Sequence, residues 1–269
     1  MQRVSIRAYA ELNDFLPPAW RMRAFQRDFP VPPTVKDLIE SAGIPHTEVE
    51  LVVVNGESVA FDHRVRDGDR IAVYPVFESI DITPELKVRP APLRVIRFVL
   101  DGRLGRLAAY LRLAGFDTLI LGDADDWRLA EIARAQQRIL LTRDRGLLKR
   151  RAVTHGYCVR ETAPRRQFVE IIRRFDLRRQ VDAFSRCLAC NGGIAEADAE
   201  DMRERVPAGV WDRQRQFRMC KSCRRVYWPG SHQARMIRLL RDAVAEAEAP
   251  AATGRRAPED TPRTSCPSS

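Results

Sequence analysis

Two pairs of cysteines, Cys187-x-x-Cys190 and Cys220-x-x-Cys223, stand 29 residues apart in the last third of the chain. Two thiols at this spacing bind one ion from a tight turn, and two such turns close a tetrahedron. The chain must therefore fold so that the two turns meet. Four thiolates leave no open coordination position, so a Zn²⁺ held there is structural rather than catalytic. The gap is longer than in an ordinary zinc ribbon and leaves room for a helix over 195–206. Cys158 and Cys266 stand alone. Paired Cys-x-x-Cys turns without an export signal read as metal ligands in a reducing, cytoplasmic setting rather than as disulfides.

The opening residues, MQRVSIRAYAEL, alternate polar and apolar side chains and lack the charged start and apolar run of a signal peptide. No stretch approaches the roughly 18 apolar residues of a membrane helix, so no membrane partner is expected. A hydrophobic fraction of 45% is enough to build a core and excludes wholesale disorder. Positive charge is unevenly spread. Residues 1–80 hold 9 Lys and Arg against 12 Asp and Glu, whereas residues 81–186 hold 23 against 13. An acidic segment beside a basic one implies separate modules, and the basic one favours a polyanion, with nucleic acid first.

Residues 3–9 alternate as a strand, and Thr34 is a good N-cap for a helix over 34–42 that ends before Gly43. Residues 50–55 form a second strand, Asn55-Gly56 a hairpin turn, and SVAFDHRV and RDGDRIAVYPVF two further strands. This order suits a small α+β sheet crossed by one helix. The segments VSIRAYAELNDFLP and VNGESVAFDHRVRDGDRIAVYP resemble the ubiquitin-like β-grasp domains of bacterial sulfur carriers. Those carriers work through a C-terminal Gly-Gly. Here the last strand runs on without one, so the resemblance implies the fold and not the chemistry. Pro84, Pro90 and Pro92 mark 81–93 as a linker, and the Ala, Pro, Thr and Ser of 247–269 read as a disordered tail.

The middle module, 94–184, is α/β. Strands at 93–101, 116–121 and 138–142 alternate with helices at 103–114 and 125–137, which predicts a parallel sheet with Gly115 capping the first helix. In such sheets ligands bind beyond the carboxyl ends of the strands. Asp101 ends the first strand, Asp126 starts the second helix and Asp144 follows the third strand. Three carboxylates at one rim repel one another unless a cation sits between them, and Mg²⁺ or Mn²⁺ suits oxygen ligands. Arg103, Arg106, Arg143, Arg145 and Lys149 flank these acids and are candidates to hold substrate phosphates. Each acid alone also fits a structural part, as an N-cap or turn residue.

The segment RFVLDGRLGRLAAYLRLAGFDTLIL, continued by DDWRLAEIARAQQRILLTRDRGLLKRR, is similar to the PIN-like RNase family named for the carboxy-terminal domain of the Mut-seven exonuclease. That family joins a PIN-type parallel-sheet domain to a C-terminal zinc ribbon, and some members carry a ubiquitin-like domain in front. The resemblance covers about residues 1–240. It implies a metal-dependent ribonuclease with Asp101, Asp126 and Asp144 as the catalytic, metal-holding acids. A fourth acid usual in PIN nucleases has Asp123, Asp125 and Glu131 as candidates. The third module, 185–246, carries Arg218, Lys221, Arg224 and Arg225 among Phe217, Tyr227 and Trp228, a mixture suited to single-stranded RNA or to filling a small lobe. It closes with a helix over 232–247, with Met236, Leu239, Leu240 and Val244 in one stripe. A second reading is an RNA-binding module with little or no turnover, its β-grasp domain a dock for a protein partner.

Overall fold

The computed structural model describes residues 1–75, 95–122 and 124–248. The expected linker and Asp123 lie outside the described residues, as does the expected tail beyond Glu248. No helix among the described residues is long and apolar enough to cross a membrane.

The N-terminal sheet holds β1 (Gln2–Ala8), β2 (Phe25–Phe29), β3 (Leu51–Val54), β4 (Glu57–Ser58) and β5 (Arg70–Tyr74) in the order β2-β1-β5-β3-β4. β1 and β5 are parallel neighbours at its centre, and helix α1 (Val35–Ser41) crosses it. This is a β-grasp topology. Thr34 caps α1 as its sequence predicts, its hydroxyl accepting from the Asp37 N–H at 3.1 Å. The sequence pattern assigns no strand to β2 and too long a strand after the hairpin turn. β2 has only Phe25 and Phe29 buried, with a charged stretch between them, so as an edge strand it carries almost no apolar alternation. The strand expected over SVAFDHRV is only β4 and one further ladder bond, because the chain turns at 60–63, where the His63 N–H donates to the Ala60 carbonyl.

The second sheet is wholly parallel. It holds β6 (Arg97–Asp101), β7 (Asp117–Leu121), β8 (Ile139–Thr142) and β9 (Gly156–Cys158) in the order β7-β6-β8-β9. Helix α2 (Gly105–Leu113) links β6 to β7, and α3 (Asp126–Ala135) links β7 to β8. Gly115 takes φ +95° just past α2, the left-handed C-terminal turn its position predicts. Period-two alternation divides the sheet between two cores. Phe98, Leu100, Ile139, Leu141 and Tyr157 face one cluster with α2, α5 (Pro164–Arg174) and α8 (Ser231–Glu248). Val99, Leu140 and Cys158 face the other, with Leu129, Ala130 and Ala133 of α3. β9 and α5 lie where the sequence pattern above assigns no element.

That second cluster does not stop at the sheet. It runs on without a break into Val4, Ile6, Leu38, Ile44 and Val73 of the N-terminal domain. Polar pins cross the same boundary. His46 Nε2 pairs with the Val153 carbonyl at 2.8 Å, and Lys149 Nζ donates to the Glu40 carbonyl at 2.7 Å. Glu48, 2% exposed, accepts from the Cys158 N–H at 2.5 Å and from Arg160 at 3.0 Å. Burial pushes Glu48 above the usual carboxylate range, against the pull of the Arg160 guanidinium.

The C-terminal lobe has β10 (Ile194–Ala197), β11 (Phe217–Cys220) and β12 (Val226–Tyr227) in antiparallel order. Two one-turn helices, α6 (Ala199–Met202) and α7 (Ala208–Trp211), fill the gap between the cysteine pairs. The helix expected over 195–206 is thus a strand followed by a single turn, because Asp198 caps a new start by accepting from the Glu200 N–H. α8 closes the fold. Leu240, Ala243 and Ala247 are its buried residues, whereas Leu239 of the expected stripe is exposed.

Candidate active site and cysteine lobe

The chain leaves β6 and returns to β8 on opposite sides of one strand, with α2 and α3 on opposite faces. That makes the gap between the ends of β6 and β8 a topological switch point. Asp101 and Asp144 sit there. One side chain joins them: the buried Thr142 hydroxyl donates to Asp101 Oδ2 at 2.5 Å and accepts from the Asp144 N–H at 3.0 Å. Asp101 Oδ1 also accepts from the Arg103 N–H at 2.9 Å. Asp144 caps α4 (Arg145–Leu148), its Oδ1 taking the Gly146 and Leu147 N–H groups at 2.7 and 3.2 Å. Each carboxylate offers about four lone-pair sites, so both keep accepting capacity. Gly102 lets the rim close, since a Cβ there would strike the Gly122 backbone at the end of β7.

Asp126 starts α3 and pairs instead with Arg150, at 3.5 Å. Asp125 accepts from Trp127 Nε1 at 3.2 Å. The three aspartates do not form a metal-sized cluster. Among the described residues, the side chains close enough to hold an ion are the four cysteines. Arg103 and Arg106 are exposed at the rim beside Asp101. Arg145 and Lys149 are engaged elsewhere. Arg145 donates to the Asp14 carbonyl at 3.1 Å and lies over the Phe15 ring, and Lys149 holds Glu40. Arg143 is exposed and forms no hydrogen bond or ion pair with a described residue. Thr142 and Arg150 carry no part in the sequence reading, although Thr142 stands in the quoted TRD run.

The four cysteine sulfurs lie within 4.8 Å of one another, with Cys187–Cys223 at 3.5 Å and Cys190–Cys220 at 3.4 Å. All four are free thiols. Zn–S bonds of about 2.3 Å in a tetrahedron place sulfurs roughly 3.8 Å apart, so the donor set fits one zinc-sized ion. The two turns match. Asn191 and Arg224, each following the second cysteine of a pair, both take the left-handed conformation, at φ 67° and 62°. The Gly192 N–H points at Cys190 Sγ and the Cys223 N–H at Cys220 Sγ, each at 3.4 Å. Burial raises the Cys187 thiol, but hydrogen bonds from the Tyr227 hydroxyl and nearby backbone N–H groups outweigh it and hold the group at about 6.

The lobe is bolted to the opposite end of the parallel sheet from the acids. The Asn191 side chain accepts from the Thr118 N–H at 2.9 Å and donates to Asp117 at 2.8 Å, at the start of β7. Arg112 donates to the Leu188 and Ala189 carbonyls, each at 3.1 Å. An ion in this lobe is a strand's length away from the rim, which fits a structural part.

Comparison with known proteins follows the same division. Residues 96–240 match the family model described as Mut7-C RNAse domain, and residues 1–81 match the one described as Mut7-C ubiquitin. The human protein named exonuclease mut-7 homolog is 39% identical over 106 residues, which are 37% of this chain and 12% of that protein. The chain therefore spans only a small part of that relative. A solved structure from Pyrococcus furiosus, described as "Putative molybdopterin converting factor, subunit 1", aligns over its full length with 29% of this chain at 22% identity and a TM-score of 0.24.

Proposed function

Since the chain belongs to the Mut7-C RNAse domain family, we propose that it is a metal-dependent ribonuclease cleaving RNA phosphodiester bonds where β6 and β8 end. The observation that carries this reading is the Thr142 hydroxyl, which ties Asp101 to the Asp144 backbone at the switch point. On this reading residues 94–184 form a PIN-like domain, 1–80 a ubiquitin-like domain with the place for a protein partner, and 185–246 a zinc ribbon with its closing helix. A reducing compartment such as the cytoplasm keeps the four thiols free for zinc.

Asp101, Asp126 and Asp144 are the residues that would hold Mg²⁺ or Mn²⁺. Such an ion, when bound, supplies an activated water and neutralises charge on the scissile phosphate. The chain's own groups fix the geometry. Thr142 and the Arg103 N–H orient both oxygens of Asp101, and the first turn of α4 fixes Asp144. Asp126, which stands apart from the other two, would have to part from Arg150 to join them. That pair is nearly half exposed on both sides, so breaking it costs about 0–1 kcal/mol. Arg103 and Arg106 lie in the open beside the acids, where they hold phosphates next to the scissile one.

The test is cleavage of a labelled single-stranded RNA by the full chain with Mn²⁺ or Mg²⁺ and an EDTA control. Asp101→Asn and Asp144→Asn each preserve shape and remove charge, and each lowers kcat by about 100-fold or more. Tight RNA binding without metal-dependent cleavage overturns the nuclease reading in favour of a binding module. Cleavage that survives both substitutions removes these residues from the site.

A further inference from the structure

A cavity of about 350 Å³ lies between the N-terminal domain and the parallel sheet. Its lining comes from both sides. Asp14, Phe15 and Arg21 belong to the first domain, and Arg143, Arg145 and Arg160 follow the ends of β8 and β9. Arg143 and Arg145 flank Asp144 in the chain, so the cavity is lined from the carboxyl end of β8, the strand end that Asp144 follows.

Four arginines face one aspartate, and the arginines divide into two kinds. Arg145 and Arg160 are spent on the protein. Arg145 holds the Asp14 carbonyl, and Arg160 holds Glu48 and the Tyr157 hydroxyl. Both also lie over the Phe15 ring, at 4.8 and 5.3 Å. The other two have donors to spare. Among the described residues Arg21 uses only its Nε, on the Leu16 carbonyl at 2.9 Å, and Arg143 uses none. Two guanidinium forks with free donors at a net positive cavity are suited to a phosphate, which they bind in bidentate fashion. The volume suits a phosphoryl group together with part of a nucleotide.

We propose that the N-terminal domain completes a phosphate-binding pocket, with Arg21 and Arg143 as its donors, for a phosphate of the RNA strand beside the one being cleaved. The proposal rests on the ribonuclease reading for its ligand and deepens it. The ubiquitin-like domain becomes one wall of the substrate site. The phosphate has two sources, an internal phosphodiester or a 5′-terminal monophosphate.

The experiment measures binding of the full chain to a fluorescent single-stranded RNA in EDTA across a salt series, with and without a 5′-phosphate. Cleavage with Mn²⁺ is measured in parallel. Variants are Arg21→Ala and Arg143→Ala, with Arg66→Ala as control, since Arg66 is exposed on the same domain away from the cavity. Arg21→Ala and Arg143→Ala each weaken binding about 5- to 20-fold and each flatten the salt slope by about 0.7, the loss of one phosphate contact on a single strand. Arg66→Ala leaves the slope unchanged. Weakening for both RNAs assigns an internal phosphate, and weakening confined to the phosphorylated RNA assigns a terminal one. Wild-type affinity and slope in both Arg21→Ala and Arg143→Ala overturn the pocket, even where RNA is still cleaved. Arg21-dependent binding without cleavage leaves the pocket standing and overturns the ribonuclease reading. A wild-type chain that binds neither RNA overturns both.

Discussion

A hydroxyl on a buried threonine links the two acids whose spacing matters most. Thr142 is fully buried, so water does not reach its hydroxyl, while Asp101 and Asp144 are partly buried at the rim. Thr142→Val keeps the shape and strands the Asp144 N–H and one Asp101 oxygen. Chemical denaturation of this variant reads a loss of about 1–3 kcal/mol. Its kcat falls about 10- to 100-fold with KM nearly unchanged, because Thr142 orients acids rather than touching RNA. Thr142→Ser restores most of both. Equal losses in Thr142→Ser would make the methyl group, not the hydroxyl, the cause. At this scale the sequence was legible where a residue's setting is local. Asp101 and Asp144 follow apolar strands, so the strand ends located them. Arg145 and Lys149 were not legible, because nothing near them in sequence reveals that the carbonyls of Asp14 and Glu40 arrive from over a hundred residues away.

Elements with strong periodicity emerged from the sequence within a few residues. α2, α3, α8 and the three longer strands of the parallel sheet are examples, since their burial stripes are continuous. β2 and β9 escaped because an edge strand with two buried residues and a three-residue strand have almost no pattern to read. The stretch between the cysteine pairs escaped for a different reason. There the turns are fixed by sulfur geometry and caps more than by apolar spacing. The cysteine lobe has one small apolar cluster about Met202, Val206 and Phe217 and another about Ile194, too little to hold it firmly. A metal ion held by the four cysteines would therefore contribute much of its folding energy. Metal analysis of the purified chain finds about one zinc per chain. A strong chelator then abolishes the near-UV circular dichroism of Trp211 and Trp228 and leaves the signal of the parallel-sheet domain largely in place. An unchanged spectrum after complete zinc removal would mean that the lobe stands on its own packing.

The opposing charges of the first two segments were legible as composition, but their consequence for the whole molecule was not. Composition suggested separate modules, and the structure has them sharing one buried apolar cluster. Glu48 is the pin at its centre, answering the Cys158 N–H on one oxygen and Arg160 on the other. Glu48→Ala takes the nearer carboxylate from Arg160, leaving it the Tyr157 hydroxyl and Asp14 at 3.8 Å, and urea denaturation of the full chain reads a loss of about 2–4 kcal/mol. A loss below 1 kcal/mol would show that the apolar contact alone holds the two domains together.

The continuity of that cluster also bears on how such a chain can be taken apart or rebuilt. A map of two family matches side by side invites the picture of beads on a string, each exchangeable for another of its kind. Here the seam is a weld. A foreign ubiquitin-like domain spliced before residue 96 would have to bring its own equivalents of Phe15, His46 and Glu48, at the same heights above Arg145, Val153 and Arg160. Without them the graft would expose oil to water on both faces of the joint. Two domains are easy to join in a sequence, but with one apolar cluster running through both they are hard to part.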